Sequence, residues 1–385
     1  MKKIDRLSVF FDNGTTKHLV GTLALYKERY AAFAYSDEWL ETGFSISPFS
    51  LPLEKKVFIP EWEPFGGVHG IFNDSLPDGW GRLLVDRMLI KLNVQPEEVS
   101  VLDRLAIVGK NGMGALTYEP EQFLSEESSI GADYDELCEE CERILNSDFS
   151  ESDKENLDQL FFAGGSSGGA RPKVFAKING NGWIIKFPSS VDLKEIGLQE
   201  YEYNKCAEKC GIETSECELF PSKRCSGYFG TKRFDRSDFG RKKILMASAS
   251  ALLETSHRIP NLDYNTLMLL SLQLTKNKSD VEKIFRLMCF NVFAHNRDDH
   301  SKNFSWLYDE ENREWKFSPA YDLTYSNSIG GEHATTINGE GKNPTLKDIL
   351  AVAEKNDIKH SLAEKIALEA KTCVDKELKR WTENK

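Results

Sequence analysis

Two carboxylates and an amide, spaced along one stretch of chain, pose the first chemical question. Asp298 stands five residues before Asn303 in Ala294-His295-Asn296-Arg297-Asp298-Asp299-His300-Ser301-Lys302-Asn303-Phe304, and Asp322 follows in Phe317-Ser318-Pro319-Ala320-Tyr321-Asp322-Leu323. A carboxylate that accepts a hydroxyl proton, an amide five residues on that ligates magnesium, and a further metal-binding carboxylate are the parts that phosphoryl transfer from a nucleoside triphosphate requires, in that order. The spacing alone recurs by chance, so its companions matter: the transferred group also needs a fixed cation and N–H donors. Lys186, in Trp183-Ile184-Ile185-Lys186-Phe187-Pro188, is a lone cation in an apolar strand and a candidate phosphate contact; an edge lysine that blocks aggregation is its other reading. An acidic residue on the next helix would orient it, Glu200 first and Glu202 as the alternative. The run Ala163-Gly164-Gly165-Ser166-Ser167-Gly168-Gly169-Ala170 reads either as a flexible linker or as a loop whose backbone N–H groups approach phosphate oxygens. Its position before a lysine-bearing hairpin favours the loop.

The elements that must position these residues follow from periodicity. The run Val281 to Phe293 is apolar nearly all round and predicts a buried helix leading into Asp298. Two carboxylates just past its C-terminus face the negative end of the helix dipole, at roughly 0.3–1 kcal/mol each unless cations compensate, so a positive group is expected nearby. Lys173 to Ile178 and Trp183 to Phe187 alternate as a hairpin around Asn179-Gly180-Asn181-Gly182, a helix runs from about Gly197 to Gly211, and Tyr228 to Phe234 reads as another strand. Beyond Lys242 the chain is nearly all helical, with apolar spacing in Leu267–Leu274, Leu346–Ala353 and Leu362–Trp381 and a hairpin-like pair at Phe304–Trp306 and Trp315–Phe317. Upstream, Leu7–Phe11, Leu19–Tyr26 and Tyr30–Tyr35 predict a meander, followed by helices at Leu83–Leu92 and near Val101–Val108. The expected organisation is an α+β unit over 1–125, an acidic surface helical connector over 126–160, a β-rich lobe over 161–246 and an α-helical lobe over 247–385.

Composition narrows the function classes. With 385 residues, more than one unit is expected, and 40% hydrophobic residues are enough to fill sizeable cores. A net charge of −12 argues against this chain alone clamping a nucleic-acid backbone, so any DNA contact would come through a basic partner. Neither a secretory leader nor an apolar run of about 20 residues is evident, which predicts a cytoplasmic protein without membrane contact. Among eight cysteines, Cys138 and Cys141 form a C-x-x-C and Cys206 and Cys210 lie four apart. Neither pair has a convincing second half, both sit in helix-like stretches, and a chain of this size in a reducing compartment needs no staples, so disulfides are not expected and zinc is the lesser reading.

Several separate segments together resemble the HipA family of bacterial toxin kinases over most of the chain. Asp298-Asp299-His300-Ser301-Lys302-Asn303-Phe304-Ser305 is similar to the family's catalytic loop, Tyr321-Asp322-Leu323 to its metal-binding segment, and Lys232-Arg233-Phe234-Asp235-Arg236 to the strand and hinge beside the adenine. Gly168-Gly169-Ala170-Arg171-Pro172-Lys173 resembles the glycine-rich segment; Phe72-Asn73, Leu76-Pro77-Asp78-Gly79 and Val108-Gly109 to Gly114-Ala115-Leu116 resemble the N-terminal subdomain. The resemblance implies an α+β fold with a two-lobed, protein-kinase-like core, an all-α C-terminal lobe and an N-terminal α+β subdomain. It also implies ATP and Mg2+ as cofactors, Asp298 as base, Asn303 and Asp322 as magnesium ligands, and Lys186 as phosphate contact. Gly168, Gly169, Ala170, Lys173, Glu200, Lys232, Phe234 and His300 would complete the ATP site. Ser166, with Ser167 adjacent, matches a serine that some members autophosphorylate. A small helix-turn-helix antitoxin is the implied partner and an aminoacyl-tRNA synthetase one class of implied protein substrate. Two rivals remain: a small-molecule kinase of the aminoglycoside and choline type, whose loop also has His two and Asn five residues after the Asp, and a weakly catalytic kinase fold acting as co-repressor.

Overall fold

Period-two alternation builds the first sheet. Strand β1 (Arg6–Asp12) turns Leu7, Val9 and Phe11 to one buried face, and pairs antiparallel with β2 (Lys17–Tyr26), which pairs with β3 (Tyr30–Tyr35). The computed structural model describes residues 2–124, 133–146 and 153–383 and divides into two units. The first comprises Met1–Gly197, Leu219–Ala247 and Ala251–Glu254; the second comprises Leu198–Glu218, Ser248–Ser250 and Thr255–Lys385.

In the first unit, helices α1 (Gly79–Lys91) and α2 (Val101–Val108) precede β4 (Leu116–Glu119), which closes a sheet of order β3-β2-β1-β4. Helix α2 starts at a capping box: Ser100 Oγ accepts from Asp103 N at 3.2 Å, and Asp103 Oδ2 accepts from Ser100 N at 3.0 Å. Helices α3 (Tyr134–Leu145) and α4 (Asp153–Gly164) come from the acidic segment. They correct the expectation of a surface connector. Leu137, Cys141 and Ile144 of α3 and Leu157 and Leu160 of α4 are buried in one core with Trp80 and Leu84 of α1 and with Val174, Trp183, Phe187 and Tyr228. The helical spacing of Leu137, Cys141 and Leu145 and of Leu157 and Leu160 marks a stripe that packs into the core beneath the acidic face, and each buried leucine contributes about 1.5–3 kcal/mol. The parts of that expectation over 126–132 and 147–152 lie outside the described residues.

The hairpin β5 (Lys173–Ile178) and β6 (Asn181–Lys186) turns at Asn179 and Gly180, whose φ values of 49° and 81° suit the two-residue turn that Asn-Gly favours. With β7 (Cys217–Phe220) and β8 (Tyr228–Lys232) it forms a sheet of order β5-β6-β8-β7.

The second unit is mainly helical. Helix α5 (Ile196–Lys209) ends before Gly211, which takes a left-handed φ of 74°. It had been expected with the β-rich lobe, yet its residues from Leu198 onward group with the helices of the second unit. The reason is its buried face: Tyr203 meets Phe290 edge-on at 6.3 Å and its hydroxyl donates to Ala294 O at 2.7 Å. Helices α6 (Tyr264–Thr275) and α7 (Lys278–Phe293) contribute buried faces to the core, and a hairpin of β9 (Ser305–Asp309) and β10 (Glu314–Phe317) precedes α8 (His360–Glu377), with Leu262–Asp263 and Thr335–Thr336 forming a short parallel pair. No helix among the described residues is long and apolar enough to cross a membrane.

Candidate active site

Asp298 and Asp299 are neighbours in sequence with opposite surroundings. The side chain of Asp298 is 58% exposed, whereas that of Asp299 is fully buried. Asp299 Oδ2 accepts from Tyr264 OH at 2.8 Å and lies 2.9 Å from His333 Nδ1, while Oδ1 accepts from Thr335 N at 3.2 Å. Asn291 Nδ2 donates to Tyr264 OH at 2.9 Å, and Asn296 Nδ2 donates to Asn291 Oδ1 at 3.0 Å, so the network reaches from α7 into the loop. Burial and then the Asp299 charge push the Tyr264 hydroxyl well above its ordinary pKa, keeping it a donor. The groups that surround Asp299 are thus a hydroxyl, an imidazole and a backbone N–H, drawn from Tyr264, His333 and Thr335. The sequence reading missed all of these partners; the doubled aspartate was the one local signal.

The clamp on Asp299 fixes the backbone that presents its neighbours. Asn303 Nδ2 donates to Asp298 O at 2.8 Å, which braces the five-residue span and leaves the Asn303 amide oxygen as an acceptor. His300 Nε2 lies 4.0 Å from Asp298 Oδ1, and its Nδ1 accepts from Lys302 N at 3.2 Å. Asp322 is pinned on both sides to the same loop. Before it, Tyr321 OH donates to Lys302 O at 2.5 Å; after it, Ser326 N donates to His295 O and Arg297 N to Ser326 O, at 3.0 and 3.3 Å. Asp322 itself holds a left-handed φ of 53°, a conformation that costs L-residues roughly 1–2 kcal/mol.

Helix α5 touches both ends of this arrangement. Thr324 Oγ1 donates to Gln199 Oε1 at 3.2 Å, and Tyr203 reaches Ala294 as described. Glu200 lies between those two contacts on the helix and is 2% exposed. Glu202 turns elsewhere: its carboxylate accepts from Trp381 Nε1 at 2.6 Å and lies 3.8 Å from Arg380.

The candidate residues of the first unit cluster around the β5–β6 hairpin. Lys186 is directly opposite Lys173 across the hairpin and Phe229 in β8, with its ammonium 5.6 Å from the Phe229 ring. Lys173 is buried, and its ammonium donates to Gly168 O at 2.5 Å. The glycine-rich loop is held largely through its backbone. Gly169 N donates to the Asp78 carboxylate, Gly169 O accepts from Trp80 N at 2.9 Å, and Trp80 Nε1 donates to Lys173 O at 3.1 Å. A Cβ at Gly79 would stand 2.4 Å from Gly169 O, and one at Gly81 2.2 Å from Ser167 O, so these two glycines let the loop seat. Gly168, Gly169 and Ala170 are exposed. Ser166 is half-buried with its hydroxyl donating to Asn111 O at 2.8 Å; Ser167 is buried and donates to Gly164 O at 2.6 Å.

Lys232 stands opposite Trp183 at the end of β8, and Phe234 follows, half-buried. Around Phe234 the chain is bolted by charge. Asp235 Oδ2 lies 2.7 Å from both Arg233 Nη2 and Arg236 Nη1 and accepts from Gly114 N at 2.8 Å, while Arg236 Nη2 donates to Gly112 O at 2.9 Å. Burial alone would raise the Asp235 pKa; the two guanidinium groups outweigh it and hold the carboxyl well below the usual range.

A β-rich unit with a seated glycine loop and a helical unit with a clamped Asp–Asn loop define a protein-kinase-like fold. A family model described as "HipA-like C-terminal domain" matches residues 165–378 and one described as "HipA N-terminal domain" matches residues 9–119, so the chain belongs to the HipA family. A Sinorhizobium fredii protein named "Putative kinase Y4dM" is 26% identical over 372 residues, covering 92% of this chain and 85% of that protein. Among solved structures, the Shewanella oneidensis MR-1 toxin–antitoxin complex of HipA, HipB and operator DNA contains a similar chain. Its TM-score is 0.69 at 17% identity, over 97% of this chain and 90% of that one. The mixed α and β fold with a kinase-like core follows from this likeness.

Proposed function

We propose that the protein is an ATP- and magnesium-dependent kinase that transfers the γ-phosphate to a serine or threonine of a protein, as the toxin of a toxin–antitoxin pair. The observation that carries the reading is the clamped loop: Asp299 is locked by Tyr264, His333 and Thr335 so that the adjoining Asp298 stands exposed beside His300, with Asn303 braced across it. An exposed carboxylate on a rigid loop suits a base that must meet an incoming hydroxyl.

In this reading Asp298 accepts the hydroxyl proton and Asn303 and Asp322 hold magnesium. The donor set suits that ion, because the Asn303 amide nitrogen is engaged by Asp298 O and the remaining ligands are hard oxygens. Magnesium held there neutralises charge on the phosphates. In the first unit we assign phosphate contacts to Lys186, Lys173 and the N–H groups of Gly168, Gly169 and Ala170, and adenine contacts to Lys232 and Phe234. Lys173 and Lys186 are directly opposite each other across the hairpin, which places two cationic side chains on one face of the sheet. Glu200 is the orienting acid, and His300 lines the nucleotide side of the loop. Ser166, more accessible than Ser167, is the proposed autophosphorylation site.

The partner we propose is a small helix-turn-helix antitoxin, because the similar Shewanella chain was solved with HipB and operator DNA and because a chain of net charge −12 needs a basic partner to reach DNA. A match to the family's N-terminal domain favours this reading over a small-molecule kinase. A cytoplasmic location accords with that partner. Transfer of label from [γ-32P]ATP into protein, lost in Asp298→Ala and Asp322→Ala, tests the assignment; undiminished labelling in both variants would remove it. Phosphoproteomics after induction in a host identifies the substrate.

A further inference from the structure

Three thiols that the sequence scatters converge in the second unit. Cys206 and Cys210 lie one turn apart at the C-terminal end of α5, and Cys373 comes from α8; among the described residues their sulfur atoms all lie within 4.8 Å of one another. In the sequence Cys206 and Cys210 lack a convincing second half, which makes zinc the lesser reading there. Cys373 is that second half, more than 160 residues downstream.

We propose that Cys206, Cys210 and Cys373 form a binding site for a thiophilic d10 cation, Zn2+ or Cu+. Spacing is the first support. Cys206 Sγ and Cys373 Sγ are 3.8 Å apart. Two thiolates on one tetrahedral ion, each at a metal–sulfur distance of about 2.3 Å, stand about 3.8 Å from each other. Helical geometry fixes the pair on α5, where Cys210 N donates to Cys206 O at 3.0 Å and keeps the two side chains on one face.

Charge is the second support. Three thiolates around a divalent or monovalent ion leave net negative charge, and two cations face the cluster. Arg286 Nη1 donates to Cys210 O at 3.0 Å and lies 3.4 Å from Glu369 Oε2, and Lys209, beside Cys206 and Cys373 at the helix end, pairs with Glu377 at 2.5 Å, so both cations are shared with a carboxylate.

Access and ligand type are the third. Cys206 and Cys210 are buried while Cys373 is half-exposed, so an ion can enter from the α8 side. Three soft donors with no carboxylate or imidazole among them select Zn2+ or Cu+ over Mg2+ or Ca2+. Cu+ is satisfied by three thiolates; Zn2+ takes a water in the open position. Either ion would staple α5 to α8, and α5 is the helix whose Gln199 and Tyr203 reach Thr324 and Ala294.

The test uses the full chain, reduced and stripped with chelator. Zn2+ and, under anaerobic conditions, Cu+ are titrated in separate arms against a calibrated chromophoric competitor, and Co2+ serves as a spectroscopic probe. We expect one tightly held equivalent in at least one arm and a thiolate-to-cobalt charge-transfer band. Cys373→Ser should weaken binding 100-fold or more and abolish the band, whereas Cys225→Ser, outside the cluster, should change neither. Because a serine variant can misfold, peptide mapping of iodoacetamide-labelled wild type is the companion measurement: metal should protect Cys206, Cys210 and Cys373 together. Binding in the zinc arm alone or the copper arm alone supports the site and assigns its ion. Equal labelling of the three cysteines with and without metal, or stoichiometric binding that maps to Cys138 and Cys141, overturns it.

Discussion

The loop that carries Asp298 and the loop that carries Gly169 are held in opposite ways. The first is locked by buried side chains: Asp299 is satisfied by Tyr264, His333 and Thr335, and Asn291 and Asn296 extend the network. The second is exposed and held mainly through backbone atoms, by Asp78, Trp80 and the end of Lys173, with two glycines allowing the approach. A buried, fully satisfied polar network tolerates little displacement, because every shift strands a desolvated group. Backbone contacts at an exposed loop can be exchanged for solvent or for ligand at small cost. The difference assigns rigidity to the residues that would move a proton and adaptability to those that would wrap phosphates.

The largest effect should come from unlocking the first loop. Asp299→Ala removes the group that three partners address, and breaking a buried pair of this kind costs about 3–5 kcal/mol. Denaturant unfolding should show that loss. A loss under 1 kcal/mol would break the comparison, since the network would then contribute no rigidity.

These two loops also show what the sequence reveals. Local periodicity made β1 to β3, the β5–β6 hairpin and α7 legible, and the spacing of Asp298, Asn303 and Asp322 singled them out as candidates. Asp299 looked equivalent to Asp298, because nothing within a few residues of it reports that Tyr264 and His333 close around it from distant positions. For the same reason Cys373 could not be paired with Cys206 in advance, and the helical spacing of Leu137, Cys141 and Leu145 in α3 was legible while the core it packs into was not, so its acidic composition pointed to a solvated surface. Long-range contacts leave no local pattern, so partners were lost where types and spacings were not.

A second charge lock, Asp235 between Arg233 and Arg236, sharpens the comparison within the first unit. Asp235→Asn should destabilise the protein by roughly 1.5–3 kcal/mol at neutral pH. Its carboxyl pKa is lowered on folding, so the stability it contributes is complete above the ordinary carboxylate pKa and is lost as pH falls through the folded value. The gap between wild type and variant should therefore stay constant from neutral to mildly acidic pH and shrink in strong acid. A gap that widens on acidification would contradict the ion pairing.

A smaller effect on stability than that of Asp299→Ala should come from the glycine loop. Gly81→Ala places a methyl 2.2 Å from Ser167 O and should displace the loop. Overpacking typically costs about 1–3 kcal/mol, and here the clash is with the backbone of the buried Ser167. The KM for ATP should rise about tenfold, worth about 1.4 kcal/mol of binding, with kcat changed less. An unchanged KM would show that the seating of this loop is irrelevant to nucleotide binding.

Single-turnover transfer from [γ-32P]ATP by Asp298→Ala, compared with wild type at matched melting temperature, addresses the central claim most directly. Asp298 is exposed while its neighbour bears the lock, so the variant should fold as stably as wild type and transfer about 10²–10⁴-fold more slowly. Wild-type transfer by the folded variant would show that Asp298 is not the base.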